Sequence, residues 1–480
     1  MKYIMNPDIA LRSWKLVPCA YYIKGTREAQ KLSREEFDFL LNCDGSTELE
    51  PSELSENLEG RGIIKEAQDG DRLSDWQQPR LYFNRYFPAA NWSITGKCNY
   101  NCKHCFMAAD NAHLMREFSR GEWTRLIEDF DECGVQTITL TGGEPLLHPD
   151  FLDIMREIYR RSMVVMDLNT NGSLITSEIL EEFRKMGAAP QIKISFDCLG
   201  HHDWMRGKEG AEQEAIRAID LCLDKGFQVM VQTCIHKYNL DTLFDTAVLM
   251  AKKGVKRMRI IRTSEAPRWE ENAGDACLSI EEYYGVCLEF AEKYVSADLP
   301  MEIDLWQFME IYPRGRYFHV RPSLADGCHD EKYMKRPVCG GNRGTIGINS
   351  DGSVVPCNQM SGWFEKRGID LGNVKNGLGP LLTSGKYLDA VTCSISKVYE
   401  HSERCRGCEY FPYCRGGCRA ISLIFNSDYL EADPAKCIFF KKGYLQKVYD
   451  LFNRAAEKND IEYSDMVPWN KELLESVETR

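Results

Sequence analysis

Between residues 91 and 262, short apolar runs alternate with stretches whose apolar positions recur every three or four residues. The runs at 92–95, 137–140, 164–168, 192–196, 229–234 and 258–261 have strand length and β-branched character, which predicts six strands. The stretches 122–133, 150–160, 177–186, 212–225 and 240–253 carry the helical period. The first of these has Ser119 and Glu122 at capping-box spacing and Gly134 at its close. Such alternation predicts parallel strands joined by helical crossovers. The expected α/β architecture is a partial (β/α)6 barrel, with a doubly wound sheet as the alternative. In a barrel, function sits at the carboxyl ends of the strands.

The flanks read differently. Residues 1–75 predict a small domain with strands at 14–24 and 62–65 and a short helix at 50–58. Another helix there is opened by Ser33 and Glu36 and ended by Asp44 and Gly45. Polar residues 68–80 look like linker, and the segment 76–90 leads into a barrel spanning 91–320. Residues 328–437 are rich in turns and poor in long periodic segments, so a domain over 321–445 needs bound metal to supply stability. A C-terminal helix and charged tail are expected over 446–480, mobile from about residue 460.

Charge narrows the classes. A net charge of -12 over 480 residues argues against a general grip on nucleic acid. No apolar run is long enough to cross a bilayer and residues 1–22 lack signal-peptide organisation, so a cytoplasmic protein without a membrane partner is expected. Thiols stay reduced in that compartment. The twenty cysteines therefore point to metal where they cluster and to small buried side chains where they scatter.

Two clusters stand out. Cys98, Cys102 and Cys105 form C-x3-C-x2-C just after the first predicted strand. Three thiolates on one loop can hold three irons of a [4Fe–4S] cluster and leave the fourth open. A zinc loop, with His104 as fourth ligand, is the competing use. Gly142, Gly143, Glu144 and Pro145 follow the second strand: the glycines permit close backbone approach, and a carboxylate can accept bonds from an ammonium. Asn169 to Gly172 end the third strand, and Ser195, Phe196 and Asp197 end the fourth. The second cluster is Cys339, Cys357, Cys405, Cys408, Cys414, Cys418 and Cys437, a set that structural zinc sites could also use.

On the first set of residues the chain resembles the radical S-adenosylmethionine (SAM) superfamily, and the second set is similar to the SPASM domain behind many radical SAM barrels. The resemblance implies SAM as cofactor and a catalytic [4Fe–4S] cluster on Cys98, Cys102 and Cys105. Gly142, Gly143, Glu144 and Pro145 would meet the methionyl amine, with Asn171, Ser195 and Asp197 as further cofactor contacts. Arg206 is a candidate for the SAM carboxylate, a surface ion pair being the alternative, and Gln232 on the fifth strand is a further candidate. Two auxiliary [4Fe–4S] clusters are also implied, a distal one on Cys405, Cys408, Cys414 and Cys437 and a proximal one on Cys339, Cys357 and Cys418. The pattern expects one more cysteine shortly before Cys339, but position 334 is Met. Cys328 is then the expected fourth proximal ligand, and an open iron the alternative. Cys133, Cys198, Cys222, Cys234, Cys277 and Cys287 read as buried thiols, and residues 306–317 as aromatic packing around the barrel mouth.

Residues 1–75 resemble the winged-helix recognition element by which peptide-modifying enzymes bind a leader peptide as an added strand. A structural cap on the barrel is the alternative. The resemblance implies a maturase that cleaves SAM to a 5′-deoxyadenosyl radical and takes hydrogen from a ribosomally made precursor peptide. A thioether or carbon–carbon crosslink would result, with flavodoxin or ferredoxin as electron donor. The rivals are a sulfatase-type formylglycine maturase and a peptide epimerase, which would need a cysteine hydrogen donor such as Cys234 or Cys198. A non-catalytic iron–sulfur electron-transfer or peptide-binding protein is the third.

Overall fold

The computed structural model describes residues 1–26, 29–106, 115–263, 266–321, 331–341, 344–459 and 461–466. Strands Lys2–Met5, Asp44–Glu48 and Ile64–Glu66 form an antiparallel sheet with Lys2–Met5 in the middle. Ile9–Trp14, Val17–Ile23 and Ala29–Lys31 form a meander that Arg80–Tyr82 extends in parallel. The strand expected over 14–24 is Val17–Ile23, and an unexpected strand, Ile9–Trp14, precedes it, with the chain turning at Lys15 and Leu16. The Ser33–Glu36 capping box opens helix Arg34–Leu40. Asp44 and Gly45 begin a strand rather than end that helix. The second helix, Glu53–Gly60, starts later than expected because Ser52 caps it. Tyr3, Leu11, Phe37, Leu40 and Leu58 give this region its own core. Part of the expected linker belongs to the same region: buried Arg12 donates to the carbonyls of Trp76 (2.6 Å) and Gln78 (3.0 Å) and pins it.

The six expected barrel strands are Ala89–Thr95, Thr137–Gly142, Val164–Thr170, Gln191–Ser195, Val229–Ile235 and Arg257–Arg262. They are parallel and hydrogen-bonded in chain order. Helices Arg120–Cys133, Phe151–Arg160, Ser177–Lys185, Ala211–Asp224 and Leu243–Lys253 lie between them. Sequential order is that of a barrel; a doubly wound sheet reverses direction partway. One face of each strand is aliphatic and wholly buried, as with Ile192, Ile194, Val231 and Ile260. The other face is polar and carries ion pairs, Lys193 with Asp167 at 3.0 Å and Arg259 with Asp304 at 2.7 Å.

The sheet continues past the barrel strands. Glu302–Leu305 adds a parallel strand, and the aromatic-rich stretch then forms the hairpin Met309–Tyr312 and Tyr317–Val320. On the opposite edge Thr345–Ile348, from the cysteine-rich region, pairs parallel to the start of the first barrel strand. Helix Tyr444–Asn459 packs on helix Ile280–Ala297, and Ser464–Asp465 pairs with Tyr317 and Phe318, so part of the tail expected to be mobile is a strand. The N-terminal region docks at Gly134, where φ is 78° and a Cβ would meet the Trp14 indole and Tyr82 ring. Arg80 pairs with Asp131 there, and Asn84 donates to the Cys133 carbonyl at 2.9 Å. Among the described residues, no helix is long and apolar enough to cross a membrane.

Candidate active site and cysteine clusters

The chain leaves the first barrel strand at Thr95 and runs directly into Cys98, Cys102 and Cys105. Burial, then the charges of Cys102, Glu144 and Cys105, push the Cys98 thiol up to about 12. Crowded thiols of this kind ionise when a metal takes them. The second strand end clamps the root of the loop: Gly143 N–H donates to the Thr95 carbonyl and Glu144 N–H to the Lys97 carbonyl, both at 2.8 Å. A Cβ on Gly142 or Gly143 would land on those carbonyl oxygens, so the approach requires glycine at both. The Glu144 carboxylate is wholly buried, accepting from Asn171 N–H and the Thr170 hydroxyl, each at 2.8 Å. Burial raises its pKa to about 7 against the pull of those bonds. The group expected to meet an ammonium therefore holds the third strand end in place. Asn171 Nδ2 in turn donates to Asn99 Oδ1 at 2.8 Å, which ties that strand end to the cysteine loop. Pro145 opens the short 3-10 turn that follows.

Arg206 and Asp197 are both buried, with Arg206 Nε 2.7 Å from Asp197 Oδ2. A second guanidinium nitrogen donates to Cys102 Sγ at 3.7 Å. The surface ion pair considered for Arg206 is thus an interior one that reaches a cysteine of the triplet. Burial would raise the Asp197 pKa, but Arg206 and the His202 hydrogen bond hold it far below the usual carboxylate range. Backbone N–H groups of Asn101 and Lys103 donate to the Arg206 and Met205 carbonyls at 3.2 and 2.9 Å, so this helical turn braces the loop. Ser195 and Gln232 face each other across the fourth and fifth strands.

Sequence reasoning missed one grouping. His104, Asp197 and Cys234 each bring a ligand-type atom within 4.8 Å of the others. Cys234 is therefore more than a scattered thiol, and His104 meets this pair from between two cysteines of the loop. The contact joins the cysteine loop to the fourth and fifth strand ends, so no local spacing could have signalled it.

The later cysteines fall into two groups. Burial, then the charges of Cys418 and Cys339, push the Cys357 thiol up to about 12. Burial likewise raises Cys414 to about 12, with Cys405, Cys437 and Cys408 adding to it. Apolar surroundings divide the same way. Cys357 and Cys418 pack with Met360 and Trp363, whereas Cys405, Cys408 and Cys437 pack with Val398 and Phe411. Cys328 lies outside the described residues. Met334 packs in the neighbourhood of Cys405 and Cys408. Cys133, Cys198, Cys222 and Cys287 are buried as expected, while Cys234 and Cys277 are only partly buried. Cys393 is buried too, its thiol directed at the Ser394 carbonyl at 3.7 Å.

Three groups of soft sulfur donors in largely apolar settings suit iron–sulfur clusters. His104 Nδ1 on the loop and Asn169 Oδ1 on the third strand are buried and have no hydrogen-bond partner among the described residues, which suits a polar cofactor there.

Comparison with known proteins agrees with this chemistry. The profile of the Radical SAM superfamily matches residues 92–250, and that of SPASM, an iron–sulfur cluster-binding domain, matches residues 339–409. An AdoMet-dependent heme synthase of Nitratidesulfovibrio vulgaris is 27% identical over 345 residues, covering 72% of this chain and 90% of that protein. The PqqA peptide cyclase of Gluconobacter oxydans is 22% identical over 376 residues, covering 76% of this chain and 93% of that one. The crystal structure of Streptococcus suis SuiB bound to precursor peptide SuiA shares the fold with a TM-score of 0.62 at 13% identity, covering 90% of this chain and 99% of SuiB.

Proposed function

We propose, from the premise that this chain is a radical SAM enzyme carrying a SPASM domain, that its substrate is a ribosomally made precursor peptide in which it forms a crosslink. The carrying observation is the reach of the SuiB-like fold. It leaves a tenth of the chain unmatched, fewer residues than the N-terminal region contains, so the likeness extends into that region. In sequence the heme synthase and the peptide cyclase match similar shares of the chain, 72% and 76%. The N-terminal region also has Ala29–Lys31 and Asp44–Glu48 at the outer positions of its two sheets, and a sheet edge is where an extended peptide can add as a strand. A leader peptide bound there would deliver its core segment to the barrel.

Cys98, Cys102 and Cys105 would hold the catalytic cluster, and the two later cysteine groups one auxiliary cluster each. Bound together, the catalytic cluster and SAM supply reductive cleavage to methionine and a 5′-deoxyadenosyl radical. The chain's part is positioning. Gly142 and Gly143 bring the second strand end against the cysteine loop, and Asn171 fixes the loop through Asn99. Arg206 places positive charge at Cys102, with Asp197 keeping the guanidinium in place. The polar strand face lines the space in which a peptide carbon would sit, and the closed aliphatic face behind it excludes water.

Arg80–Tyr82 belongs to the N-terminal sheet, so the test removes residues 1–82 as a unit. Precursor affinity should fall by about tenfold or more, while SAM cleavage without peptide persists. Unchanged affinity overturns leader binding by this region. A heme precursor is the second reading, favoured by the 27% identity to the heme synthase. It predicts turnover of that precursor with no peptide present.

A further inference from the structure

The polar face of the barrel sheet carries a row of side chains in strand register: Ser195, Gln232, Arg259, Asp304 and Glu310. Their neighbours Ile260 and Ile303 lie on the opposite face, in the aliphatic core. Arg259 is held at two points. Its Nε donates to Asp304 Oδ2 at 2.7 Å, and its guanidinium carbon lies 4.7 Å from the centre of the Trp306 ring. Among the described residues, no hydrogen bond or ion pair takes its two terminal nitrogens. The nearby carboxylates are engaged elsewhere: Asp304 also pairs with Arg257 at 3.2 Å, and Glu310 pairs with Arg257 at 2.8 Å and Arg321 at 3.0 Å. Glu302, in register with Arg257, forms no ion pair with these guanidiniums among the described residues. Asp304 and Glu310 are buried, whereas the Arg259 side chain is 23% exposed. A guanidinium held flat, with its outer edge open, is a preorganised fork for a carboxylate. Gln232 beside it is two residues before Cys234 on the same strand, so this row lies about 7 Å along the strand from the His104–Asp197–Cys234 grouping.

We propose that Arg259 grips a carboxylate of the substrate, so that the enzyme selects a substrate with an acidic group near the reacting carbon. This rests on the reading that the polar strand face lines the space for the substrate, a precursor peptide. An arginine that must be ordered on binding gains little from such a contact in water. Arg259 is ordered beforehand by Asp304 and Trp306, and it stands on a half-buried wall where two parallel N–H···O bonds count for more. Aspartate or glutamate of a peptide and a propionate of a heme precursor present the same group, and the test separates the two sources.

The test is a double-mutant cycle in kcat/KM on the full-length, reconstituted enzyme. The probe is the precursor peptide encoded beside the gene, with each Asp changed in turn to Asn and each Glu to Gln, assayed with wild type and Arg259→Gln. One of these peptide changes and Arg259→Gln should each lower kcat/KM by about tenfold or more, and the two together by no more than either alone. Arg259→Lys should fall between wild type and Arg259→Gln, because it keeps the charge without the fork. Arg257 still pairs with Asp304 in these variants, so neither strands a buried carboxylate, and iron content and urea midpoint check the fold. Losses that add overturn the inference, since a structural role of Arg259 would weaken all the peptides alike. So does a wild-type enzyme indifferent to every acidic position of the peptide, a result that needs no variant. Failure of the peptide reading shows separately, as a wild-type enzyme that leaves the peptide unmodified and consumes iron coproporphyrin. The same cycle is then run with iron coproporphyrin and its methyl esters, where additive losses again overturn the carboxylate grip.

Discussion

The pair Arg206–Asp197 illustrates how single residues carry the site. Both charges are buried and each compensates the other. Arg206→Met should therefore cost about 3–5 kcal/mol, read as a lower urea midpoint, because it strands the Asp197 carboxylate. Adding Asp197→Asn should recover part of that loss, and a double variant no more stable than Arg206→Met would contradict the pairing. Gly143→Ala is a different kind of test. Its methyl would collide with the Lys97 carbonyl at the root of the cysteine loop. The prediction is loss of SAM cleavage with about eight of about twelve irons retained, measured by iron assay. A fully active variant would contradict the clamp. Gly142, Gly143 and the cysteine triplet were legible because their spacing is local. The meeting of His104, Asp197 and Cys234 was not, because it joins the cysteine loop to strand ends far away in the sequence.

At the scale of elements, the capping box on helix Arg120–Cys133 does double duty. Glu122 receives the Ser119 N–H at 2.9 Å and pairs with Lys375 of the cysteine-rich region at 2.7 Å. The Lys375 bond, followed by those from Ser119, lowers its pKa to about 2. A carboxyl whose folded pKa lies below its unfolded one adds stability that is fully present above the unfolded value and lost as pH falls. Wild type should lose more stability than Glu122→Gln between about pH 4.5 and 2, by about a few tenths of a kcal/mol given the partial exposure. Parallel acid-unfolding curves for the two would contradict this. Barrel strands and helices were legible because strand and helix periods differ sharply. The Lys15–Leu16 turn was missed because neither residue is a turn former. The hairpin over residues 309–320 was hidden because aromatic side chains suit core packing and strands alike.

For the whole molecule, the sequence pointed to three regions, and the structure shows how they lock together. The cysteine-rich region adds Thr345–Ile348 to the barrel sheet, and the N-terminal region seats Trp14 on Gly134. Neither joint has a local signature. Each depends on surfaces that only the folded chain presents. The linkage gives the peptide reading its logic, since a leader held on the N-terminal region would be fixed relative to the cysteine loop. The most direct measurement is mass spectrometry of a candidate precursor peptide, one encoded beside the gene, after incubation with the holoenzyme, SAM and a strong reductant. The account predicts a loss of about two mass units from the peptide, one hydrogen for each atom joined, together with release of 5′-deoxyadenosine. A peptide of unchanged mass, with a heme precursor consumed by the same enzyme, would contradict it.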